Sequence, residues 1–414
     1  MKKLSKLIIT EMNIKGCPCR VCAVMEEQKV LELRLEPAEQ KSILGNIYVG
    51  QVENLASNIR AAFVRFGDGK KGYLPLSEGE NAIFTSGRKG GVSLRPGDEL
   101  LVQVSRDAMK GKLAALTTNL NFTGKYLVLT TGNKKIGFSA KLSREETAPA
   151  RKWLTSEMED HERGYGLIVR TNAADAPKEE FLYELEYLKK LYQKVAVTGR
   201  NRTCYSLLYE AEPFYLAAVR DIYSRDLEEI VTDIPEIYQR ISEYLVDFMP
   251  QEQEKLRLYN DSLLPLYKLC RLETALEEIR REKIWLNSGG FLVIQQTEAF
   301  VSIDVNSGKY TAKKKAEETY RKINLEAARE IARQLRLRNL SGIILIDFIN
   351  MENPDHRDEL FHVLQKYLRR DPVKSRAVDI TPLHILEMTR KKIRRPVTEE
   401  LVEVEKHAAL LQNG

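Results

Sequence analysis

The sequence predicts a multidomain protein of mixed α and β character, with a small β-barrel in its first third and a layered α/β domain in its last. Three observations predict it. A chain of 414 residues is too long for one ordinary core, so two to four domains are expected. Residues 45–118 consist of short strand-like runs separated by turns rich in Gly, Asp, Asn and Lys, a spacing that suits a small closed barrel. From residue 284 onward, apolar strand-like runs alternate with amphipathic helical stretches, which implies an α/β layer.

Taken in order, residues 20–25 and 30–35 read as a hairpin across 26–29. The barrel strands include 47–52, 61–66 and 100–105. Residues 124–130 form another expected strand. Apolar residues at helical spacing mark 145–158 and 178–194 as helices. The stretches 212–224 and 234–247 are also helical, with Pro213 and Pro235 where a first turn tolerates proline. Strands are expected at 284–286, 291–297 and 300–305, with Ser288-Gly289-Gly290 as a turn. A long amphipathic helix over 315–338 follows. Residues 342–346 are almost purely apolar, as in a strand buried on both faces. Helices are expected at 355–368 and 397–414.

Hydrophobic residues make up 43% and charged residues 30% of the chain, which describes a soluble globular protein. No apolar run approaches the ~18 residues that span a bilayer, and the amino end lacks a signal-peptide pattern; a cytoplasmic location is expected. The formal net charge of +6 suits a polyanion-binding protein if the basic residues cluster. They do so at 313–315, 333–338, 369–370 and 390–395, although any one run alone is better read as a solvated helix face. Five cysteines, an odd number, argue against a disulfide framework. Cys17, Cys19 and Cys22 lie close together, but their spacing is not a standard zinc knuckle. On a strand they read as buried apolar residues.

Two aspartates stand out chemically. In Phe300–Gly308, strand alternation puts Ile303 and Val305 on one face and Asp304 with Asn306 on the other. In Ile343–Ile349, Asp347 interrupts a run that otherwise favours a dry setting. A carboxylate there needs a cation, a donor or the end of the strand. Two aspartates ending strands of one α/β domain can converge on the edge where such folds bind ligands. Hard oxygens with no nearby His or Cys favour magnesium or manganese over zinc. Residue chemistry alone weighs this evenly against a blander role for both as turn and helix caps.

Around these residues the chain resembles the ribonuclease E/G family. The resemblance is carried by 284–294 with Thr297-Glu298-Ala299, by Ile303-Asp304-Val305-Asn306-Ser307-Gly308, by 324–328 and 330–338, and by Asp347-Phe348-Ile349. It extends over nearly the whole chain. It implies a magnesium-dependent endoribonuclease, with manganese as a substitute and zinc not expected. Asp304 and Asp347 hold the metal, Asn306 positions a carboxylate or the metal's water, and Glu298 is a weaker neighbour. The implied reaction is internal hydrolysis of single-stranded RNA by metal-activated water, leaving a 5′-phosphate and a 3′-hydroxyl, in ribosomal RNA processing or messenger RNA decay. Asn350 stands where the family usually has a further aspartate.

Residues 45–50, 61–64 and 71–76 resemble the family's S1-like RNA-binding barrel, an OB-fold, with Phe63, Tyr73 and Lys112 as RNA contacts. Residues 166–171 resemble the stretch that grips a 5′-monophosphate. Gly124, Val128, Arg170, Thr171 and Lys374 fall at its pocket, and the plain alternative for Arg170 is a structural ion pair. The implied organisation is an RNase H-like part at 1–38, the barrel at 39–118, a 5′-sensor region at 119–212, a second RNase H-like part at 213–280, a DNase I-like catalytic domain at 281–396 and a tail at 397–414. The family's Cys-Pro-x-Cys zinc link is missing after Glu387–Lys392, so a zinc-linked assembly is not carried over, while a homodimer stays compatible. The resemblance is to the family's short form, so no long tail is expected after residue 414. The rival expectations are an RNA-binding protein with a degenerate nuclease domain and a basic structural protein of an RNA complex.

Overall fold

The structure, a computed structural model, describes residues 4–39, 42–85, 93–108, 112–160, 163–222, 226–308 and 316–413. The basic run 313–315 lies outside them. The chain divides into two compact units. The first comprises Met1–Gln40, Asp226–Arg240 and Glu254–Gly414; the second comprises Lys41–Arg225 and Ile241–Gln253.

The first unit contains two sheets. In one, the strands Ser5–Ile14, Cys17–Glu26 and Lys29–Pro37 form an antiparallel meander. Leu227–Thr232 joins parallel to Ser5–Ile14, and Leu256–Leu258 joins parallel to that. The expected hairpin is present, and Glu27 takes the left-handed conformation in its turn. Cys17, Cys19, Val21 and Leu33 face a core filled by Leu272, Leu276 and Ile279 of the helix Leu272–Arg280 and by Val397, Leu401 and Val404 of the helix Val397–Asn413.

The other sheet has six strands in the order Lys283–Trp285, Phe291–Gln296, Phe300–Asn306, Gly342–Asp347, Ile385–Arg390, Ser375–Ile380. Only Phe300–Asn306 and Gly342–Asp347 run parallel, joined by a crossover through the helix Ala316–Leu337. That helix and Pro354–Leu368 cover one face. Ile323, Ala327, Ile331, Leu360 and Leu364 pack there on Leu292, Ile303, Val305, Ile344, Ile346 and Leu386. The strand Gly342–Asp347 departs from the expectation of burial on both faces: Ile344 and Ile346 are buried, but Ile343 is 54% exposed. The helices cover a single face, so apolar residues of opposite parity stay accessible.

The arginines of the basic run 333–338, and Arg390 at the start of 390–395, also differ from a polyanion-binding surface, whereas Lys391 and Lys392 are exposed. Arg333 pairs with Glu278 and Glu330, Arg336 with Glu32, and Arg390 with Asp371. Arg338 and Arg390 are buried. Burying a guanidinium is tolerable only with such partners, so these arginines tie elements together. Arg369 and Arg370 are exposed.

The second unit contains a closed five-stranded barrel. Ile47–Ala56, Ala61–Phe66, Lys70–Pro75, Ala114–Thr117 and Glu99–Arg106 pair in that order, and the last closes on the first. The topology is OB-like, with its interior filled by Ala62, Val64, Phe66, Leu74, Val102 and Leu116. A smaller sheet has the order Ile136–Phe138, Gly166–Val169, Leu127–Thr130, Asn121–Thr123. Residues 124–130 are thus not one strand. Residues 124–126 turn the chain between the antiparallel strands Asn121–Thr123 and Leu127–Thr130, and the Glu184 carboxylate holds that turn by accepting the N–H groups of Lys125, Tyr126 and Leu127 at 2.7–2.8 Å. The stretch 145–158 is two helices, Arg144–Trp153 and Thr155–Glu159, broken at the fully buried Leu154. The expected helix 212–224 is Phe214–Asp221 with Pro213 at its cap; residues 223–225 lie outside the described residues. Lys178–Arg200 and Pro235–Phe248 are helical as expected. Among the described residues no helix is long and apolar enough to cross a membrane.

Candidate functional site

Asp304 and Asp347 are direct register partners on the two parallel strands, so their Cα atoms sit about 5 Å apart. Their row continues through Val293 on one side and Ile385 on the other. All of these residues belong to the face the helices leave open, and both aspartates are exposed. Asn306, two residues on, donates from Nδ2 to Asp304 Oδ2 at 2.6 Å, which fixes that carboxylate's rotamer. Burial pushes the Asp347 carboxyl above its ordinary range, and the neighbouring Asp304 charge adds to the rise. Among the described residues no hydrogen bond or ion pair reaches the Asp347 carboxylate. Two like charges held side by side on a rigid sheet suit a cation better than they suit each other.

The surrounding backbone is held by residues that strand periodicity could not nominate. Asn324, fully buried on Ala316–Leu337, donates to Ile349 O at 2.7 Å and accepts from Ile349 N–H at 3.1 Å. It thereby clamps the chain just after Asp347. Glu326 on the same helix accepts the N–H groups of Asn287 and Ser288 at 2.8 and 3.0 Å. Gly308, at φ +69°, leaves no room for a side chain: a Cβ there would lie 2.4 Å from Gly289 O. The only advance signal for Asn324 and Glu326 was their place in the family motif. Glu298 lies in the hairpin turn before Phe300, at the opposite end of that strand from Asn306. Asn350 is exposed in the loop after Asp347.

On the barrel, Ala62 points inward, so Phe63 faces out. It stands half-buried opposite the half-buried Tyr73. Tyr73 is in turn next to Ala115, three residues after the exposed Lys112. Arg65 and Lys71, opposite one another on the same face, both bind Glu53, at 2.5 and 2.8 Å. Their hydrogen bonds hold the Glu53 carboxyl below its ordinary range.

Arg170 spans two partners. Nη1 donates to Gly124 O at 2.5 Å and Nη2 to Asp221 Oδ1 at 2.8 Å. Arg220 also binds Asp221, at 3.0 Å, and Glu212 at 2.7 Å. Burial pushes the Asp221 carboxyl up, but the guanidinia of Arg170 and Arg220 outweigh it and hold the group low. Thr171 Oγ1 lies 3.0 Å from Ser139 Oγ. Val128 is half-buried opposite the exposed Ile168. Gly124, Val128, Arg170 and Thr171 thus share one patch of the second unit. Lys374 belongs to the first unit, exposed before Ser375–Ile380.

Cys17, Cys19 and Cys22 are buried free thiols. Among the described residues no group of three or more His, Cys, Asp or Glu is placed to hold a metal. The aspartate pair supplies two carboxylates, the number magnesium commonly takes from protein while retaining waters and substrate phosphate.

A nucleic-acid-type barrel in one chain with a sheet bearing two paired carboxylates has the make-up of an enzyme that works on nucleic acid. Comparison with known proteins agrees. The Ribonuclease E/G family profile matches residues 121–393. The chain is 32% identical over 400 residues to Ribonuclease G of Salmonella typhimurium (strain SL1344), covering 94% of this chain and 81% of that one. It has the same identity and coverage, over 399 residues, with Ribonuclease G of Escherichia coli (strain K12). It is also 32% identical over 378 residues to Ribonuclease E of Haemophilus influenzae, covering 90% of this chain and 40% of that one. The chain belongs to the ribonuclease E/G family.

Proposed function

We propose that this chain is a magnesium-dependent endoribonuclease that hydrolyses single-stranded RNA internally, leaving a 5′-phosphate and a 3′-hydroxyl. The observation that carries the reading is the register pair Asp304–Asp347 on the uncovered face of the sheet. Those two carboxylates would hold the ion, and manganese has the same preference for hard oxygens. When bound, the ion supplies charge neutralisation at the phosphodiester and an acidified water. The chain's own residues keep the carboxylates in place: Asn306 orients Asp304, and Asn324 anchors the backbone that carries Asp347.

The half-buried, outward-facing Phe63–Tyr73 pair supports RNA binding on the barrel, because a base stacked on an aromatic ring gains ~1–3 kcal/mol with little sequence preference. Lys112 would add a phosphate contact. The patch of Gly124, Val128, Arg170 and Thr171 supports a 5′-monophosphate site, in which the phosphate would share or replace Asp221 on the Arg170 fork. Ribosomal RNA precursors and messenger RNA in the cytoplasm are the proposed substrates.

Cleavage of a short single-stranded RNA with and without magnesium tests the reading. Asp304→Ala and Asp347→Ala should each abolish cutting while RNA binding survives. Normal cutting by either variant overturns the metal assignment. Equal rates on 5′-monophosphorylated and 5′-hydroxyl RNA overturn the sensor.

A further inference from the structure

The face that carries the two aspartates also carries an aromatic pair that the proposed reaction does not use. Trp285 is 65% exposed. Its ring centroid lies 5.2 Å from that of Phe291, with 59° between the planes. Lys283 places its ammonium 4.3 Å from the Trp285 centroid and 3.6 Å from that of Phe291. The register ties the group to the site. Trp285 stands opposite Phe291, and Phe291 opposite Asn306, whose amide holds Asp304. Lys283, Val293, Asp304 and Asp347 form the adjacent row across four strands. Trp285 thus lies two inter-strand spacings, about 10 Å, from Asn306 on the same face.

An indole left mostly in water forgoes much of the stabilisation its burial would give. Cation–π contact with Lys283 does not require that exposure. Lys283–Trp285 is the edge strand of the sheet, so a polymer can reach the rings from the side. Charge complementarity favours a polyanion with π-faces: the rings offer stacking surface, and Lys283 offers positive charge beside an otherwise acidic centre.

We propose that Trp285 and Phe291, flanked by Lys283, form a stacking platform for a nucleobase of the RNA strand next to the scissile phosphodiester. The platform rests on the endoribonuclease reading above and adds a base-contacting element on the catalytic sheet itself, separate from the barrel. Its specificity is for an unpaired base, since a base held in a duplex cannot lay its face on the ring.

The test uses the full chain and a single-stranded RNA with one cut site, together with copies carrying an abasic residue at each position near the cut. In the wild-type protein one abasic position should lower kcat/KM by about 5- to 150-fold, as expected for one base–aromatic stack. Trp285→Ala should lose a similar factor on intact RNA and become insensitive at that position, while Trp285→Phe retains most of the activity. The chain has two tryptophans, so the fluorescence of a Trp153→Phe protein reports Trp285 alone, and 2′-O-methyl RNA should quench it. Wild-type kcat/KM and an unchanged abasic pattern in Trp285→Ala overturn the platform. So does a loss of self-association in that variant with the abasic pattern intact, which assigns the rings to a protein contact. If the wild-type protein cuts no RNA yet 2′-O-methyl RNA quenches Trp285, the platform stands and the activity reading fails. If it cuts RNA and Trp285 is not quenched, the activity reading stands and the platform fails.

Discussion

Replacing Asp347 with alanine should make the metal-free protein more stable, not less. Asp304 and Asp347 are opposite one another on neighbouring parallel strands. Two unit charges about 5 Å apart repel by roughly 1 kcal/mol in water and by roughly 3 kcal/mol at an effective dielectric of 20. Both side chains are exposed, so solvent screening puts the repulsion at the low end, about 1 kcal/mol. A gain of that size corresponds to a rise of about 2–4 °C in Tm for a unit as large as the first one. If Asp347 were instead a cap for the following turn, its loss would cost about 1 kcal/mol, and Tm would fall. Asp347→Asn separates charge from side-chain loss, because it removes the repulsion at nearly constant volume. Magnesium reverses the order: an ion at 100 times its Kd stabilises the wild type by about 2.7 kcal/mol and does nothing for the variants. The assay is thermal unfolding in chelator and in a magnesium titration. A lower Tm for Asp347→Ala in chelator, or an undiminished magnesium response, would refute the reasoning.

Asn324→Ala should destabilise the first unit by about 1–3 kcal/mol, since the N–H and C=O of Ile349 lose their buried partner; denaturant unfolding measures it, and kcat should fall as Asp347 loosens. Gly124→Ala should cost about 1–3 kcal/mol, because its Cβ would lie 2.3 Å from the Glu184 carboxyl carbon; an unchanged denaturation midpoint would refute that. The Asp221 carboxyl is held low by Arg170 and Arg220 against its burial. The stability it adds is therefore present above the ordinary carboxylate pKa of about 3.9 and is lost as pH falls through its lower folded value. Asp221→Asn should lower Tm at neutral pH and flatten the acid limb of a Tm–pH curve. Burial, with Cys17 beside it, pushes the Cys19 thiol up to about 12, and burial likewise raises Cys22 and pushes Cys270 to about 11. A thiol reagent at mild pH should reach only Cys204 in the native protein and all five cysteines after denaturation; rapid reaction of Cys17, Cys19 and Cys22 would refute the burial argument.

Much of the candidate site was legible in the sequence because it is local. A period of two along 300–306 puts Asp304 and Asn306 on one face, and the same rule sends Ile303 and Val305 to the core; the structure has both. The barrel was readable from short strands and their turns, and Ala62 next to Phe63 meant that only one could point inward. Other features depended on partners far along the chain. The run 333–338 looked like a cationic surface, yet Arg336 reaches Glu32 and Arg333 reaches Glu278. The strand expected through 124–130 begins only at Leu127, after a turn held by Glu184, some sixty residues away in sequence.

By itself, the sequence determined the class of most of the elements it marked, the face on which Asp304 and Asn306 stand, and, through its ordered motifs, membership of the ribonuclease E/G family. Side-chain alternation and helical periodicity act over a few residues, so those features survive without knowledge of the fold. Only the tertiary structure decided that Asp304 and Asp347 are register partners, that the helices cover one face of their sheet and leave Ile343 and Trp285 accessible, and that Asn324 holds the backbone behind Asp347. Strand register and helix placement are set by packing between segments distant in sequence, and no local pattern encodes which of two equally apolar faces will be covered.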